Sequence, residues 1–142
     1  RVLTSGRRGE TLHVRSLAPK PAGLDLEVEA RAHVFRLSLP LIGAFQAENA
    51  LVAAGIVLAS GRPTGEVLPL LERLPGVPGR MQFAAEARGA GVFVDYAHTP
   101  DAVATALRAI RPHARGRVIA IIGAGGDRDR AKRPLTGKAA AA

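Results

Sequence analysis

The chain has no cysteine and no tryptophan, and only one tyrosine, one methionine and four phenylalanines among its 142 residues. Without cysteine there can be no disulfide staples, thiolate metal sites or cysteine nucleophiles, and the composition suits a reducing cytoplasm. With aromatics at 4%, a core has to be built from Ala, Val, Leu and Ile, and no aromatic platform is available for stacking single-stranded nucleic acid. No apolar run approaches the roughly 18–20 residues of a membrane helix, and the first residues lack a signal-peptide core. A soluble, cytoplasmic protein with no membrane partner is expected. The chain starts at Arg1 and its one methionine is Met81, as expected of a piece of a longer protein.

What is present is ordinary for a globular chain, 47% apolar and 23% charged, in the range of one domain or two small ones. The net charge of +8 invites a nucleic-acid reading, but its distribution argues against a duplex-binding stripe. Residues 1–79 carry nine Arg/Lys against seven Asp/Glu, and residues 80–142 eleven against five. The excess is densest at Arg128, Arg130, Lys132 and Arg133, where Asp127 and Asp129 are interleaved. A compact loop of mixed charge suits a small anionic ligand better than a duplex. No nucleic-acid partner is expected.

Hydrophobic spacing divides the chain into three regimes. Leu12, Val14, Leu24, Leu26 and Val28 alternate with polar residues, as do the residues from Val34 to Leu39, which predicts antiparallel strands over 1–39 with a turn at Pro19, Pro21 and Gly23. From Ala47 to Ala59 apolar residues occur nearly all round a helix, predicting a buried one. A second helix is predicted from Thr64 to Leu74, kinked or shortened by Pro69. Pro75-Gly76-Val77-Pro78-Gly79 reads as a linker, so domains are predicted at 1–79 and 80–142.

Beyond the linker, Gln82–Ala87 and a buried Val92–Tyr96 read as strands, Thr99-Pro100-Asp101 as a helix start, and Val118–Ile122 as a strand covered on both faces. A glycine loop and a last helix near Pro134 follow. The order is that of a parallel βαβα unit, so the fold class is α/β. Ligands of such sheets bind at the carboxyl ends of strands, and two of these ends are rich in polar residues. At Asp95-Tyr96-Ala97-His98-Thr99-Pro100, Asp95 and His98 either cap the turn or reach a ribose hydroxyl or a phosphate-bound cation. At Gly123–Pro134, consecutive glycines can aim backbone N–H groups at an anion and arginines can grip it; the alternative is a flexible basic loop. Arg128 stands where a dinucleotide fingerprint needs glycine, and Ala139 after Gly137-Lys138 excludes a phosphate-binding P-loop. His13, His33 and His113 have no metal-ligand spacing.

Taken together, Val94-Asp95-Tyr96-Ala97-His98-Thr99-Pro100-Asp101-Ala102, Gly125-Gly126-Asp127-Arg128-Asp129 and Lys132-Arg133-Pro134 closely resemble the Mur ligases. Within that family they look like the branch that adds the third amino acid of the peptidoglycan stem peptide. Leu39-Pro40-Leu41-Ile42-Gly43 with Phe45 and Asn49 is similar to the segment before the family's buried helix, and Pro78-Gly79-Arg80-Met81 to its domain junction. The resemblance implies the end of a central ATPase α/β domain (1–79) followed by the start of a Rossmann-like C-terminal ligase domain (80–142). It implies ATP-driven amide bond formation through an acyl phosphate, with ATP and Mg²⁺ as cofactors and a role in cell-wall biogenesis, cell shape and division. The substrates implied are a UDP-N-acetylmuramoyl dipeptide and a diamino acid. Asn49, Arg80, Asp95 and His98 would lie around the nucleotide; Arg128 would hold a carboxylate of the diamino acid, with Asp127 and Lys132 supporting the loop. No residue is assigned as catalytic or as a metal ligand. The intact Gly-Asp-Arg-Asp and Lys-Arg-Pro stretches look more like enzymes that add meso-diaminopimelate than those that add lysine.

There are departures. Gln46 stands where the family often has Asn, and the chain lacks a Gly-Lys-Thr/Ser phosphate loop, a modified-lysine segment and an Asp-Asn-Pro-Arg motif. The 142 residues alone are therefore expected to have no ligase activity. The competing reading is a small basic module that binds nucleotides or nucleic acid without ligase activity.

Overall fold

The computed structural model describes residues 2–123, 125 and 129–141, and these divide into two compact units, Arg1–Gly76 and Val77–Ala142. The division falls inside the Pro/Gly stretch at 75–79.

The first unit is a four-stranded sheet in the order β1-β2-β3-β4, with β1 Ser5–Gly6, β2 Leu12–Lys20, β3 Gly23–Ala30 and β4 His33–Leu39. The short β1 runs parallel to β2; β2, β3 and β4 form an antiparallel meander. Period-two alternation sorts β3 completely. Leu24, Leu26, Val28 and Ala30 are buried, while Asp25, Glu27 and Glu29 line the opposite face. Each of those carboxylates meets a cation from a neighbouring strand: Lys20 for Asp25, Arg36 at 2.8 Å for Glu27 and Arg15 at 3.0 Å for Glu29. Exposed pairs of this kind contribute about 0–1 kcal/mol each, so they fix register more than they stabilise.

Two turns make the meander possible. Gly23 lies so close to β4 that a Cβ there would stand 2.2 Å from the Leu39 carbonyl oxygen, which excludes every other residue type. Between β3 and β4 the chain reverses through Arg31 and Ala32, at φ 49° and 63°, a left-handed pair without glycine or asparagine to signal it.

The buried face of the meander is covered by α1 (Ala44–Ala59) and α2 (Thr64–Leu70). Gly43, at φ 94°, turns the chain into α1. Ala47, Ala50, Leu51 and Ala54 then join Leu12, Leu24, Leu26, Val28, Leu37 and Leu39 in a single core, with Val67, Leu68 and Leu71 beside them. Pro69 has no N–H to give the preceding turn. The α-helix stops at Leu70 and tightens into a 3₁₀ turn at Leu71–Arg73. The Glu72 carboxylate accepts the Ser38 N–H at 2.7 Å, tying this turn to the edge strand β4.

The helix predicted to be buried all round is buried on one face only. Val52, Ile56 and Val57 of α1 are exposed, Ile56 at 69%, because the single sheet layer covers one side of the helix. A shallow groove of about 280 Å³ runs along that outer face between Val52, Gly55, Ile56 and the residues around β1.

The second unit has a hairpin, β5 Gln82–Ala87 and β6 Ala90–Val94, turning through Arg88 and Gly89 at φ 53° and 77°. Phe83 and Phe93 face each other across it with ring centroids 5.5 Å apart. The helices α3 (Pro100–Ile110) and α4 (Lys132–Ala141) pack together. Its buried apolar residues, among those described, are Met81 and Val103.

The α/β class therefore holds, with two corrections. The strand expected at Val92–Tyr96 ends at Val94, and Val92 and Val94 are exposed, not buried. Val118–Ile122 forms no strand pairing, and Ile121 is 98% exposed. The parallel βαβ pairing thus has no second strand among the described residues. A strand's N–H and C=O groups need a neighbour to bond, and this apolar run finds none among the described residues. Among the described residues no helix is long and apolar enough to cross a membrane.

Two tests follow from the first unit. Leu26→Ala should destabilise it by about 2–5 kcal/mol in urea unfolding followed by circular dichroism; a loss under about 1 kcal/mol would contradict the packing described. The Arg36 guanidinium hydrogen-bonded to Glu27 holds that carboxyl below the ordinary carboxylate range. A depressed folded-state pKa means stabilisation present above the unfolded-state pKa and lost as pH falls through the folded one. Arg36→Leu should raise the Glu27 pKa towards its ordinary value in a carbon-detected NMR titration.

Candidate functional site

The polar residues at the end of β6 are ordered by the backbone around them. Asp95, directly after β6 and part-buried, accepts the Met81 N–H on Oδ2 at 2.9 Å and the Ala97 N–H on Oδ1 at 2.8 Å. One carboxylate thus ties the strand end to the start of β5 and shapes the turn that follows. Met81 needs such a tie, since its backbone is left-handed at φ 47°, a conformation that costs a non-glycine residue roughly 1–2 kcal/mol. Thr99 Oγ1 accepts the Ala102 N–H at 3.2 Å, with Pro100 in the first turn of α3 and Asp101 beside it, the cap that the sequence spells out.

Between Asp95 and the cap lie two rings, Tyr96 and His98, which the Arg80 cation joins. Tyr96 is 64% exposed. The Arg80 guanidinium carbon stands 5.0 Å from its ring centroid, and the His98 ring meets it edge-on at 5.1 Å. His98 Nδ1 lies 3.0 Å from the Tyr96 carbonyl oxygen. A carbonyl only accepts, so this contact is a hydrogen bond when the proton is on Nδ1, which leaves Nε2 as the acceptor of the neutral ring. The structure thus brings Arg80, Asp95 and His98 together. Asn49 is exposed on α1 and belongs to the other unit.

Of the residues expected to hold a diamino acid, Asp127 and Arg128 lie outside the described residues. Lys132 is the first residue of α4, with its ammonium 3.3 Å from the Asp129 carboxylate. Among the described residues no group of three or more His, Asp or Glu is placed to hold a metal ion. Asp95, the carboxylate nearest the cluster, already has each oxygen engaged by a backbone N–H. The described residues therefore offer no Mg²⁺ site built from protein ligands alone.

Two features escaped the sequence reading. Tyr96 was visible within its motif, but nothing in the sequence signals that Arg80 reaches its ring. The left-handed Met81 has no glycine or asparagine to announce it.

Residues 79–142 match the family model described as Mur ligase, glutamate ligase domain. Nearly the whole length of the chain is similar to UDP-N-acetylmuramoyl-L-alanyl-D-glutamate–2,6-diaminopimelate ligases. Identity is 53% to that of Caulobacter vibrioides, covering 96% of this chain and 28% of that protein. It is 44% to that of Mesorhizobium japonicum, covering 98% and 29%. A solved structure of a ligase of the same name superposes with a TM-score of 0.72 at 33% identity, covering 99% of this chain and 29% of that one. The chain spans about 29% of the length of the curated relatives it matches.

Asp95→Ala should destabilise the second unit by about 1–3 kcal/mol, the range for a lost hydrogen bond to a charged group. Amide exchange should accelerate at Met81 and Ala97 together. Asp95→Asn, which keeps one carbonyl oxygen, should lose less. Unchanged protection at Met81 in Asp95→Ala would sink this assignment.

Proposed function

We propose that the chain is part of an ATP-dependent amide ligase that adds meso-diaminopimelate to UDP-N-acetylmuramoyl-L-alanyl-D-glutamate during peptidoglycan synthesis in the cytoplasm. The observation that carries this reading is the strand-end motif Asp95 to Pro100, folded as a tied turn ahead of a capped helix, in a chain 44–53% identical to diaminopimelate ligases over 96–98% of its length. When bound, ATP would supply the phosphoryl group that turns a substrate carboxylate into an acyl phosphate, the electrophile for the incoming amine.

The chain's own residues would serve this reaction by positioning and charge neutralisation, which carry most of phosphoryl-transfer catalysis. Arg80 and His98 offer a cation and an imidazole to the nucleotide at one strand end, with Asp95 fixing the turn between them. Asn49 would also contact the nucleotide. Arg128 would grip a carboxylate of diaminopimelate, since a guanidinium matches a carboxylate in a two-pronged fork, and Asp127 and Lys132 would support that loop. Mg²⁺ belongs to the reading as a cofactor of the whole enzyme, and no step here is assigned to it. The wider consequences are cell-wall biogenesis, cell shape and division.

The 142 residues alone, without a phosphate loop, should not turn over ATP. The direct test replaces the matching segment of the Caulobacter vibrioides ligase with this chain and assays addition of diaminopimelate and of lysine. An active chimera that uses diaminopimelate is expected, and Arg128→Ala within it should raise KM for diaminopimelate at least about tenfold, as for a lost charge-assisted fork. A folded chimera with no activity, or one that prefers lysine, would refute the assignment.

A further inference from the structure

The Tyr96 ring is exposed, gains little from burial, and is nonetheless engaged by two groups from separate parts of the chain. The Arg80 guanidinium comes from the turn before β5 and lies 5.0 Å from the ring centroid. The His98 imidazole follows two residues later, meets the ring at 5.1 Å and 61°, and is tied to the Tyr96 carbonyl through Nδ1. An arginine stem samples many rotamers in water, and a π-face under its guanidinium restricts them. An imidazole bonded at Nδ1 and set edge-on to a ring is restricted in the same way.

We propose that Tyr96 is a positioning residue. Its ring holds the Arg80 guanidinium and the His98 imidazole against one support, so that a cation and a ring nitrogen are presented together to an anionic aromatic ligand. That ligand is an adenine nucleotide, and this part rests on the function proposed above. The geometry uses the ring alone, and no contact described for Tyr96 involves its hydroxyl group. Phenylalanine should therefore replace it, and an aliphatic residue should not.

The chain provides its own reporter, because with no tryptophan and one tyrosine its tyrosine emission arises at Tyr96 alone. In the full 142-residue chain, the His98 ring protons should carry a ring-current displacement that persists in Tyr96→Phe and disappears in Tyr96→Leu. Tyrosine emission should change in both Arg80→Leu and His98→Ala. In the chimera, Tyr96→Leu should raise KM for ATP about threefold to tenfold with a smaller change in kcat, and Tyr96→Phe should stay within about twofold of the parent. The proposal is overturned if His98 resonances are the same with leucine as with tyrosine, or if phenylalanine loses as much as leucine. Should Tyr96→Leu not fold, emission that ignores removal of both Arg80 and His98 overturns it equally. An inactive parent chimera together with the expected His98 displacement would remove the ligase reading and leave the positioning role of Tyr96 in place.

Discussion

The first unit depends on one strand having two unlike faces. β3 places Leu24, Leu26, Val28 and Ala30 on one side and Asp25, Glu27 and Glu29 on the other. Slipping its register by a single residue would drive three carboxylates into the core. The partners on β2 and β4 carry the matching cations, the helices carry the matching small and branched side chains, and Gly23 allows the close approach to β4 that sets the register. Small residues do much of the packing. Ala47, Ala50 and Ala54 let α1 lie close against the sheet in a chain that has almost no aromatic bulk to fill a wider gap.

This unit was legible in the sequence because alternation reports which face of a strand must leave water. The same logic read α1 correctly as a helix and wrongly as a buried one. Apolar spacing all round a helix states a demand for burial; it does not state whether the chain supplies a second layer. Among the described residues one sheet layer packs against α1, and Val52, Ile56 and Val57 are exposed. Val118–Ile122 repeats the lesson. Five apolar residues in a row are a strong strand signal, yet a strand is a relation between two segments, and the run has no partner among the described residues. The turn at Arg31 and Ala32 had no signal in the sequence, for the opposite reason. Pairing between β3 and β4 imposes left-handed backbone on residues whose own preference lies elsewhere, so nothing local betrays it.

At the candidate site, legibility followed distance along the chain. The Thr99 cap with Pro100 and Asp101 is a contact within three residues, and it was readable residue by residue. The contacts of Asp95 with Met81 and of Arg80 with Tyr96 span fourteen and sixteen positions, and exist only once the hairpin has closed. The sequence therefore left two roles open for Asp95, a cap and a ligand contact. The structure uses both of its carboxylate oxygens on backbone N–H groups, which is capping in the literal sense.

Capping and ligand recognition are nevertheless not rivals at this position. Met81 is held left-handed by Asp95, and the residue immediately before it is Arg80. The direction in which Arg80 leaves the backbone is therefore set by the carboxylate, and its landing place by the Tyr96 ring, which adjoins Asp95 in sequence. His98 is fixed to that same short segment through the Tyr96 carbonyl. A carboxylate that accepts two backbone N–H groups can thus decide whether two other side chains reach a ligand, because one turn carries the cap, the ring and the imidazole. The chain's positive charge acquires direction in the same way. Scattered arginines raise the local concentration of any anion, whereas an arginine whose backbone and side chain are both constrained can select one.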